Sequence, residues 1–211
     1  MGLNLQKKVR QLRLLLWKLI HYSRHKMLQA KGGSLLCNNC TGAMVLHDYG
    51  IRFATPTVNL AIKVSDYIEL LSNLDYYLLA DFQDVTDVYK RRYPVGLLGG
   101  RITVHFIHYK SFEEGVAVWK RRISRLDKNN ISIVLVQRKG TTEEQLKQFD
   151  NLPYDNKVAL VNRPMPGIRC AYVIPGFEKE ESLGQIIDYV GRFGKRYYDY
   201  FPWHKFILRQ R

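Results

Sequence analysis

The sequence has 211 residues, of which 46 % are hydrophobic and 25 % are charged, the balance of an ordinary globular domain. Its formal net charge is +14, and such a surface attracts polyanions and phosphorylated ligands. Three cysteines, an odd number, argue against a disulfide framework and indicate a reducing compartment. Length and composition together predict a single domain with a full-sized core.

The amino-terminal segment is basic and amphipathic. No Asp or Glu precedes Asp48, whereas Lys and Arg recur from Lys7 to Lys31. On a helix, one apolar stripe is formed by Leu5, Val9, Leu12, Leu16, Leu19 and Ile20. This pattern is typical of a helix lying on anionic lipid, although a helix packed on its own domain has the same pattern. Lys18 interrupts the apolar run, which is too short and too charged for a bilayer span and lacks a signal-peptide cleavage site.

We therefore predict a basic amphipathic helix over residues 1–31 and a single α/β domain over residues 32–211. Within that domain, a short strand at "SLLC" leads into a helix at "TGAMVLHDY", which Gly50 ends in the left-handed conformation. A loop over "FATPTVNLAI" runs into a short strand, and the next helix is predicted to be capped by Ser65. Residues 80–101 are turn-rich and carry no firm prediction of regular structure.

Strands and helices alternate after position 101. Strands are predicted at "ITVHFIHY", "ISIVLVQ", "KVALVN" and "CAYVIP", and the intervening helices open with capping boxes at Ser111 and Thr141. Because the strands are apolar on both faces, we expect a mostly parallel sheet with helices on both faces, a Rossmann-like α/β fold. Ligands in such folds bind at the carboxyl ends of the strands, where "NNC", "HYKS" and "QRKG" are expected to lie.

Two cysteines at the first strand-to-helix junction raise several alternatives. Cys37 and Cys40 supply only half of a zinc site, and no second pair follows nearby, so no metal is expected. A redox pair is a further alternative, although the thioredoxin order of elements is absent. Cys40 is predicted to meet the positive end of a helix, which favours a nucleophilic thiolate. The amides of Thr41 and Gly42 are then available to an oxyanion or phosphate, and a buried structural cysteine is the remaining alternative.

The two histidines of the strand "VHFIHY" lie three residues apart, on opposite faces, so they are not expected to share a metal. His108 is nearer the carboxyl end and is the predicted general base, with a hydrogen-bonded core histidine as the alternative. The chain has no Asp-x-Asp triplet, no Gly-x-Gly-x-x-Gly and no Walker loop. These absences argue against metal-dependent sugar-nucleotide transfer and against dinucleotide or ATP binding.

Four segments, "NNCTG", "DYGIRFATPTVNL", "HYKSFEEGVAVWKRRISRL" and "FDNLPYDNKVALV", resemble a bacterial family labelled exopolysaccharide or capsule biosynthesis proteins. This is the domain of unknown function family 1919, some members of which carry an acyltransferase label. The resemblance extends from Leu35 to Val161, with the motifs in the right order. The family pattern Asn-Cys-x-Gly, Asp-x-Gly and Ser-Pro-Thr-x-Asn-Leu falls on Asn39, Cys40, Gly42, Asp48, Gly50, Thr55, Pro56, Thr57, Asn59 and Leu60. Thr55 replaces the serine, and Cys37 lies outside the pattern.

The resemblance implies an enzyme of surface-polysaccharide biosynthesis, cytoplasmic and peripheral at the inner face of the bacterial membrane. The concrete expectation is transfer of an acyl group from coenzyme A to a sugar hydroxyl, with Cys40 as nucleophile or beside the thioester and His108 as base. The residues expected to bind substrate are Asn39, Thr41, Gly42, Asp48, Thr57, Asn59, Lys110 and Arg122, the last two by contact with phosphate.

The expected partners are a lipid-linked or nucleotide-linked sugar and an anionic membrane surface. The membrane contact is assigned to residues 1–31 and to the basic, aromatic carboxyl-terminal tail. No RNA-binding motif is present, which argues against nucleic acid as a partner. Two alternatives stay open: a metal-independent glycosyltransferase that uses a sugar nucleotide, and a basic membrane adaptor without enzymatic activity.

Overall fold

The computed structural model describes residues 33–190 and 195–208, together with residues 8, 9, 11–13, 15, 16 and 19. In the continuous ranges, the strands are β1 (Ser34–Cys37), β2 (Ala61–Ile62), β3 (Phe82–Asp84), β4 (Val95–Leu98), β5 (Ile102–His105), β6 (Ile131–Val136), β7 (Lys157–Val161) and β8 (Ala171–Val173). The helices are α1 (Thr41–Asp48), α2 (Val64–Ser72), α3 (Leu74–Leu79), α4 (Thr86–Tyr89), α5 (Phe112–Ile123), α6 (Glu143–Asp150) and α7 (Trp203–Leu208), with a 3-10 turn at Tyr197–Tyr200.

A four-stranded parallel sheet has the strand order β1-β6-β7-β8. Successive residues of its strands enter opposite apolar clusters: Leu36 and Ile133 belong to one cluster, and Leu35 and Val134 belong to the other. A parallel sheet buried on both faces is the arrangement that continuous apolar strands require. The predicted α/β class with a parallel sheet is therefore confirmed.

The second sheet is antiparallel, with the order β2-β5-β4-β3. Sequence periodicity placed "ITVHFIHY" in the parallel sheet, and that assignment is wrong for β5, which pairs antiparallel with β2 and β4. The turn between β4 and β5 contains Gly99 and Gly100, both at positive φ, a conformation that glycine adopts readily. Strands β3 and β4 lie in residues 80–101. The sequence did not predict these two short strands, because turn-forming residues surround them.

Both sheets contribute to one apolar cluster. Leu36 and Ile133 of the parallel sheet and Leu98 and Val104 of the antiparallel sheet belong to it. The two sheets therefore share a core on one face of β1 and β6. The predicted boundary between residues 31 and 32 lies outside the described residues and stays a prediction. None of the described helices is long and apolar enough to cross a bilayer.

The predicted helix ends are met in part. Gly50 follows α1 at φ 67° and Ser111 accepts a hydrogen bond from the Glu114 amide at 3.2 Å, as expected. Helix α2, however, begins at Val64 with Lys63 at the cap position, rather than at Ser65. The capping box of α6 is formed by Thr142 and Gln145, one residue later than predicted.

The carboxyl-terminal aromatic residues pack on the second apolar cluster. Trp203, Phe206 and Ile207 are buried against residues of β1, β6 and β7. The sequence left open whether this tail lies on a membrane or on the core. These three side chains lie on the core. They are therefore not available to lipid.

Candidate functional site

A cavity of about 310 Å³ opens where β1 and β6 end. It is lined by residues 38–41, Ala61 and Ile62, Ile107 and His108, Arg138, and residues 184–187, and we call it the Cys40 cavity. Residues 38–41 follow β1 and Arg138 follows β6, so the cavity lies at the carboxyl edge of the parallel sheet. This is the edge at which ligands bind in α/β folds. The other three walls are residues 61–62, 107–108 and 184–187. The order of strands alone did not predict that these segments lie here.

Two asparagines shape the floor of the cavity. The Asn38 side chain donates to the Val136 carbonyl at 3.0 Å and accepts from the Val136 amide at 2.8 Å, which extends the pairing of β1 with β6 by one residue. Asn39 Oδ1 accepts from the amide of Thr41, the first residue of α1, at 2.9 Å. Because this bond occupies Oδ1, Nδ2 is the atom of Asn39 that remains to bind a ligand.

Cys40 lines the cavity with a half-buried thiol. Burial raises the pKa of this thiol above its ordinary value of 9.0, against the opposing field of Arg138. The sequence predicted a lowered pKa for this thiol, because Cys40 precedes the positive amino end of α1. The amide of Thr41, the first of α1, donates to Asn39 and is not available to the thiol. The thiol is therefore protonated at neutral pH and is a poor nucleophile.

Cys37 and Gly42 belong to the core behind the cavity. Cys37 is 2 % exposed, and burial raises the pKa of its thiol to about 12. A Cβ built on Gly42 would lie 2.6 Å from the Cys37 Cβ, so glycine permits α1 to pack closely on β1. The Gly42 amide is directed at the Cys37 sulfur. The two amides assigned to an oxyanion, those of Thr41 and Gly42, are thus both engaged within the protein.

His108 and Arg138 face the Cys40 cavity from the two sheets. His108 lies in the turn after β5, is exposed, and has no hydrogen-bond partner within the described part of the chain. Arg138 follows β6 and donates from Nη1 to the Gly184 carbonyl at 3.3 Å. The cavity therefore combines a free imidazole with a guanidinium. Sequence reasoning placed "QRKG" at this edge, but it did not single out Arg138, because nothing local distinguishes it from its neighbours.

Besides the two predicted phosphate ligands, four predicted substrate-binding residues lie outside the cavity lining: Gly42, described above, Asp48, Thr57 and Asn59. Thr57 and Asn59 belong to the segment before β2. Thr57 is 1 % exposed, and its Oγ1 accepts from the Cys37 amide at 3.1 Å. Thr55, two residues earlier, donates to the Leu35 carbonyl at 2.7 Å, so both hydroxyls saturate the free edge of β1. Asn59 has φ 66°, a left-handed conformation that asparagine tolerates better than most residues. The two threonines of the Thr-Pro-Thr-x-Asn segment thus support the backbone of β1.

The two predicted phosphate ligands are also outside the lining. Lys110 is exposed, and its amide donates to Glu114 Oε2 at 2.9 Å at the start of α5. Arg122 is 8 % exposed, and its Nη1 donates to the Val58 carbonyl at 2.9 Å and to the Tyr109 hydroxyl at 2.8 Å. Arg122 therefore ties α5 to the loop before β2, and its low exposure leaves little of the guanidinium open to a phosphate.

Asp48, the last of the predicted substrate-binding residues outside the lining, lies at the far end of α1 from Cys40. It is 2 % exposed and accepts from Arg196 Nε at 3.0 Å and from the Tyr198 hydroxyl. Arg196 in turn donates to the Ile187 carbonyl and, at 3.0 Å, to the Tyr189 hydroxyl. This network fixes the segment that forms one wall of the Cys40 cavity. Asp48 acts on the cavity through that wall and does not line it.

The same residues do not form a metal centre. Across residues 33–190 and 195–208 and the described amino-terminal positions, no three His, Cys, Asp or Glu side chains come together as a metal site. Cys37 and Cys40 are both free cysteines.

The fold and the site define an α/β protein with a partly basic cavity at the carboxyl edge of its parallel sheet. The model of the family described as "Domain of unknown function (DUF1919)" matches residues 12–208. The chain belongs to this family, as the resemblance in its motifs indicated. It is also similar to an "Uncharacterized protein" of Haemophilus influenzae (strain ATCC 51907 / DSM 11121 / KW20 / Rd), at 38 % identity over 188 residues, which cover 89 % of this chain and 90 % of the relative.

Proposed function

We propose that this protein is a transferase of bacterial surface-polysaccharide biosynthesis that moves an acyl group from coenzyme A to a sugar hydroxyl in the Cys40 cavity. The observation that supports this proposal is the convergence of His108, Asn39 and Arg138 on one cavity at the carboxyl edge of the sheet. A base, an amide donor and a cation are the groups that acyl transfer from an anionic donor requires.

His108 is the base of the proposed reaction. Its exposed imidazole takes the proton from the sugar hydroxyl while the sugar oxygen forms a bond to the thioester carbon. The carbon–sulfur bond then breaks, and the thiolate of coenzyme A leaves and receives that proton from the imidazolium. Asn39 Nδ2 is the proposed hydrogen-bond donor to the carbonyl oxygen as negative charge develops on it.

Cys40 serves this reaction as a wall beside the thioester. A thiol with a raised pKa does not form the thiolate that a covalent acyl-enzyme requires. Direct transfer between donor and acceptor therefore fits this cavity better than a double displacement. Arg138, on the same wall, supplies positive charge for the phosphorylated part of the donor.

Attachment to the membrane is assigned to the amino-terminal segment. The described positions between 8 and 19 are helical, and the exposed fractions are 41 % for Val9, 57 % for Leu12, 56 % for Leu15 and 64 % for Leu19. Spacings of three and four residues place these side chains on one helical face. An exposed apolar face with basic neighbours suits the interface of an anionic bilayer, and we place the protein at the cytoplasmic face of the membrane.

The transferase proposal is tested with radiolabelled acetyl coenzyme A and lipid-linked sugars extracted from bacterial membranes. We expect the His108→Asn variant to transfer about 10²–10⁴-fold more slowly, because the base is lost. Cys40→Ser is expected to retain transfer, and His204→Asn is the matched control, since His204 lies on α7, outside the lining of the cavity. Transfer that survives in His108→Asn, or that appears only with sugar nucleotides, would reject acyl transfer by this site.

The membrane assignment has its own experiment, flotation of the full chain with anionic and zwitterionic vesicles. The triple variant Leu12→Glu, Leu15→Glu, Leu19→Glu is expected to lose flotation with anionic vesicles. Leu79→Glu is the control, because Leu79 is 83 % exposed in another part of the molecule. Flotation that is unaffected by the triple variant would contradict the assignment.

A further inference from the structure

A second cavity, of about 330 Å³, adjoins the Cys40 cavity and shares Ala61, Ile62 and Arg138 with it. Its other walls come from the start of α2, from the end of β5 and from the loop between β6 and α6. The polar side chains that line only this second cavity are those of Lys63, Ser65, His105, Lys139, Thr141 and Gln145. We call it the Lys63 cavity. The reaction proposed above uses none of these six residues.

The Lys63 cavity carries an excess of positive charge. Lys63, Arg138 and Lys139 line it, and neither Lys63 nor Arg138 has a carboxylate partner among the described residues. Lys139 pairs with Glu181 at 3.2 Å, but both side chains are largely exposed, so the pair is weak. Asp66, the other nearby acid, is engaged by the Thr103 amide at 2.9 Å and by the Ser65 hydroxyl at 2.9 Å. Cations gathered around a concave space attract an anion more strongly than the same cations spread over a surface.

His105 also lines this cavity. Its Nδ1 is buried and has no hydrogen-bond partner among the described residues. The ring is held edge-on by Tyr89 and Tyr93, with centroid distances of 5.7 and 5.9 Å. Burial lowers the pKa of His105, and Arg91 and Lys63 lower it further, so the imidazole is neutral. A neutral imidazole both donates and accepts hydrogen bonds, and it adds no further positive charge to the wall.

We propose that the Lys63 cavity binds the pyrophosphate of the donor, with Lys63 and Lys139 on its oxygens and Arg138 between the two cavities. The donor then extends past Arg138, so that its reactive end lies beside His108 in the Cys40 cavity. The proposal rests on the proposed function for the direction of the donor, but the binding of pyrophosphate stands on the cavity itself. A pyrophosphate is common to coenzyme A and to sugar nucleotides, so the shared chemistry is a diphosphate ester.

Lysine variants test the cavity without reference to catalysis. The probe is inorganic pyrophosphate, titrated calorimetrically into the full chain, and Lys63→Gln and Lys139→Gln are each expected to weaken binding by about tenfold, the loss of one charge-assisted contact. Lys147→Gln is the matched control, because Lys147 lies on α6, outside the cavity, and pairs with Glu143 at 3.0 Å. Pyrophosphate that fails to bind, or that binds both cavity variants as tightly as the control, overturns the proposal.

The nature of the donor is resolved by two further probes in the same titrations. Desulfo-coenzyme A that binds more tightly than UDP, and that depends on Lys63 and Lys139, supports an acyl donor. The reverse order keeps the diphosphate site and assigns it to a sugar nucleotide. Lysine-dependent binding without acyl transfer removes the proposed function and leaves the cavity assignment intact. Acyl transfer with a coenzyme A KM that is the same in Lys63→Gln and wild type removes the cavity assignment and leaves the function intact.

Discussion

Asp48 and Arg196 form a buried ion pair across 148 residues of sequence, with the Arg196 Nε 3.0 Å from the Asp48 Oδ2. Both side chains are nearly inaccessible, at 3 % and 6 % exposure. The guanidinium also binds the Ile187 carbonyl and the Tyr189 hydroxyl, next to the wall of the Cys40 cavity. The pair therefore joins α1, which carries Cys40 at its other end, to the segment that closes the cavity.

Breaking this pair is expected to destabilise the fold strongly. Asp48→Asn keeps the shape of the side chain but leaves a buried guanidinium without its counter-charge, which costs about 3–5 kcal/mol. Urea unfolding measures the loss. Asp75→Asn is the control, because the Asp75 pair with Lys128 is exposed and contributes less than about 1 kcal/mol. Equal free energies of unfolding for the two variants would show that the buried pair stabilises the fold no more than the exposed pair does.

The reactivity of the thiols should follow their burial. Burial raises the pKa of Cys40 above its ordinary value and that of Cys37 to about 12, so both are protonated at neutral pH. In the native protein, iodoacetamide is expected to modify Cys40 slowly, at a rate that rises with pH, and to leave Cys37 unmodified until the protein unfolds. Mass spectrometry of peptides measures both. Rapid modification of Cys40 at pH 6 would show that its thiol is ionised and would support Cys40 as a nucleophile.

Thr57 should matter for stability through its hydroxyl. Thr57→Val removes the acceptor for the buried Cys37 amide without changing the shape, which costs about 1–3 kcal/mol. Thr57→Ser keeps the hydroxyl and is the control. Chemical unfolding compares the free energies of unfolding of the two variants. Binding of desulfo-coenzyme A by Thr57→Val, measured well below the melting temperature of the variant, should equal that of wild type. A stable Thr57→Val that has lost ligand binding would return Thr57 to the site.

Gly42 should tolerate no side chain. The Cβ of an alanine would lie 2.6 Å from the Cys37 Cβ, and both atoms are attached directly to the main chain, so α1 must move away from β1. Overpacking of this kind costs about 1–3 kcal/mol, which the shift in thermal midpoint measures. Gly100→Ala is a control for the clash, since a Cβ at that position would have no atom within 4 Å and only the positive φ opposes it. A Gly42→Ala variant as stable as wild type would contradict the close packing.

Asp150 makes stability depend on pH in the acid range. Burial alone would raise the pKa of its carboxyl, but hydrogen bonds from Cys170 and Arg169 outweigh burial and hold the pKa below its ordinary value of 3.8. The unfolded chain therefore binds the proton first as the pH falls. The contribution of Asp150 is complete well above pH 3.8 and is lost as the pH falls through the lower folded pKa.

The variant Asp150→Asn should accordingly lose stability at pH 7 and show a smaller change in the free energy of unfolding between pH 5 and pH 2. Asp155→Asn is the control, because Asp155 is exposed and lies in the loop that follows α6. Parallel acid dependence in Asp150→Asn and wild type would mean that other carboxyls govern the acid transition.

The fold class was readable in the sequence because its signals are local. Continuous apolar runs at Ile131–Val136 and Lys157–Val161 require burial on both faces, and short polar caps such as Ser111 fix where helices begin. The antiparallel sheet was missed because β2, β3 and β4 are two to four residues long. Their pairing depends on partners elsewhere in the chain, which no local period records.

The candidate site was predictable only at its centre. Asn39 and Cys40 were placed at this edge because they follow a strand of the parallel sheet, and the carboxyl ends of parallel strands meet at one edge. His108 was placed beside them on the expectation that its strand is parallel too, whereas β5 belongs to the antiparallel sheet, and the packing of the two sheets brings His108 to the cavity. Thr57, Asp48 and Arg122 carry side chains equally suited to a ligand or to a buried backbone group. In the folded chain, Thr57 binds the Cys37 amide, Asp48 binds Arg196, and Arg122 binds the Val58 carbonyl. These contacts show that the three side chains bind groups of the protein itself.

The sequence by itself determined the α/β class, the family and the strand ends that carry Asn39 and Cys40, because these follow from local composition and order. The tertiary structure alone decided which polar groups are free and which are engaged, since a hydrogen bond between distant residues leaves no local trace. It also set the direction of the Cys40 pKa, because the cost of removing a charge from water depends on the atoms packed around it. The neighbouring cavity of Lys63 and His105 has the same origin, since it assembles from three segments that only the folded chain brings together.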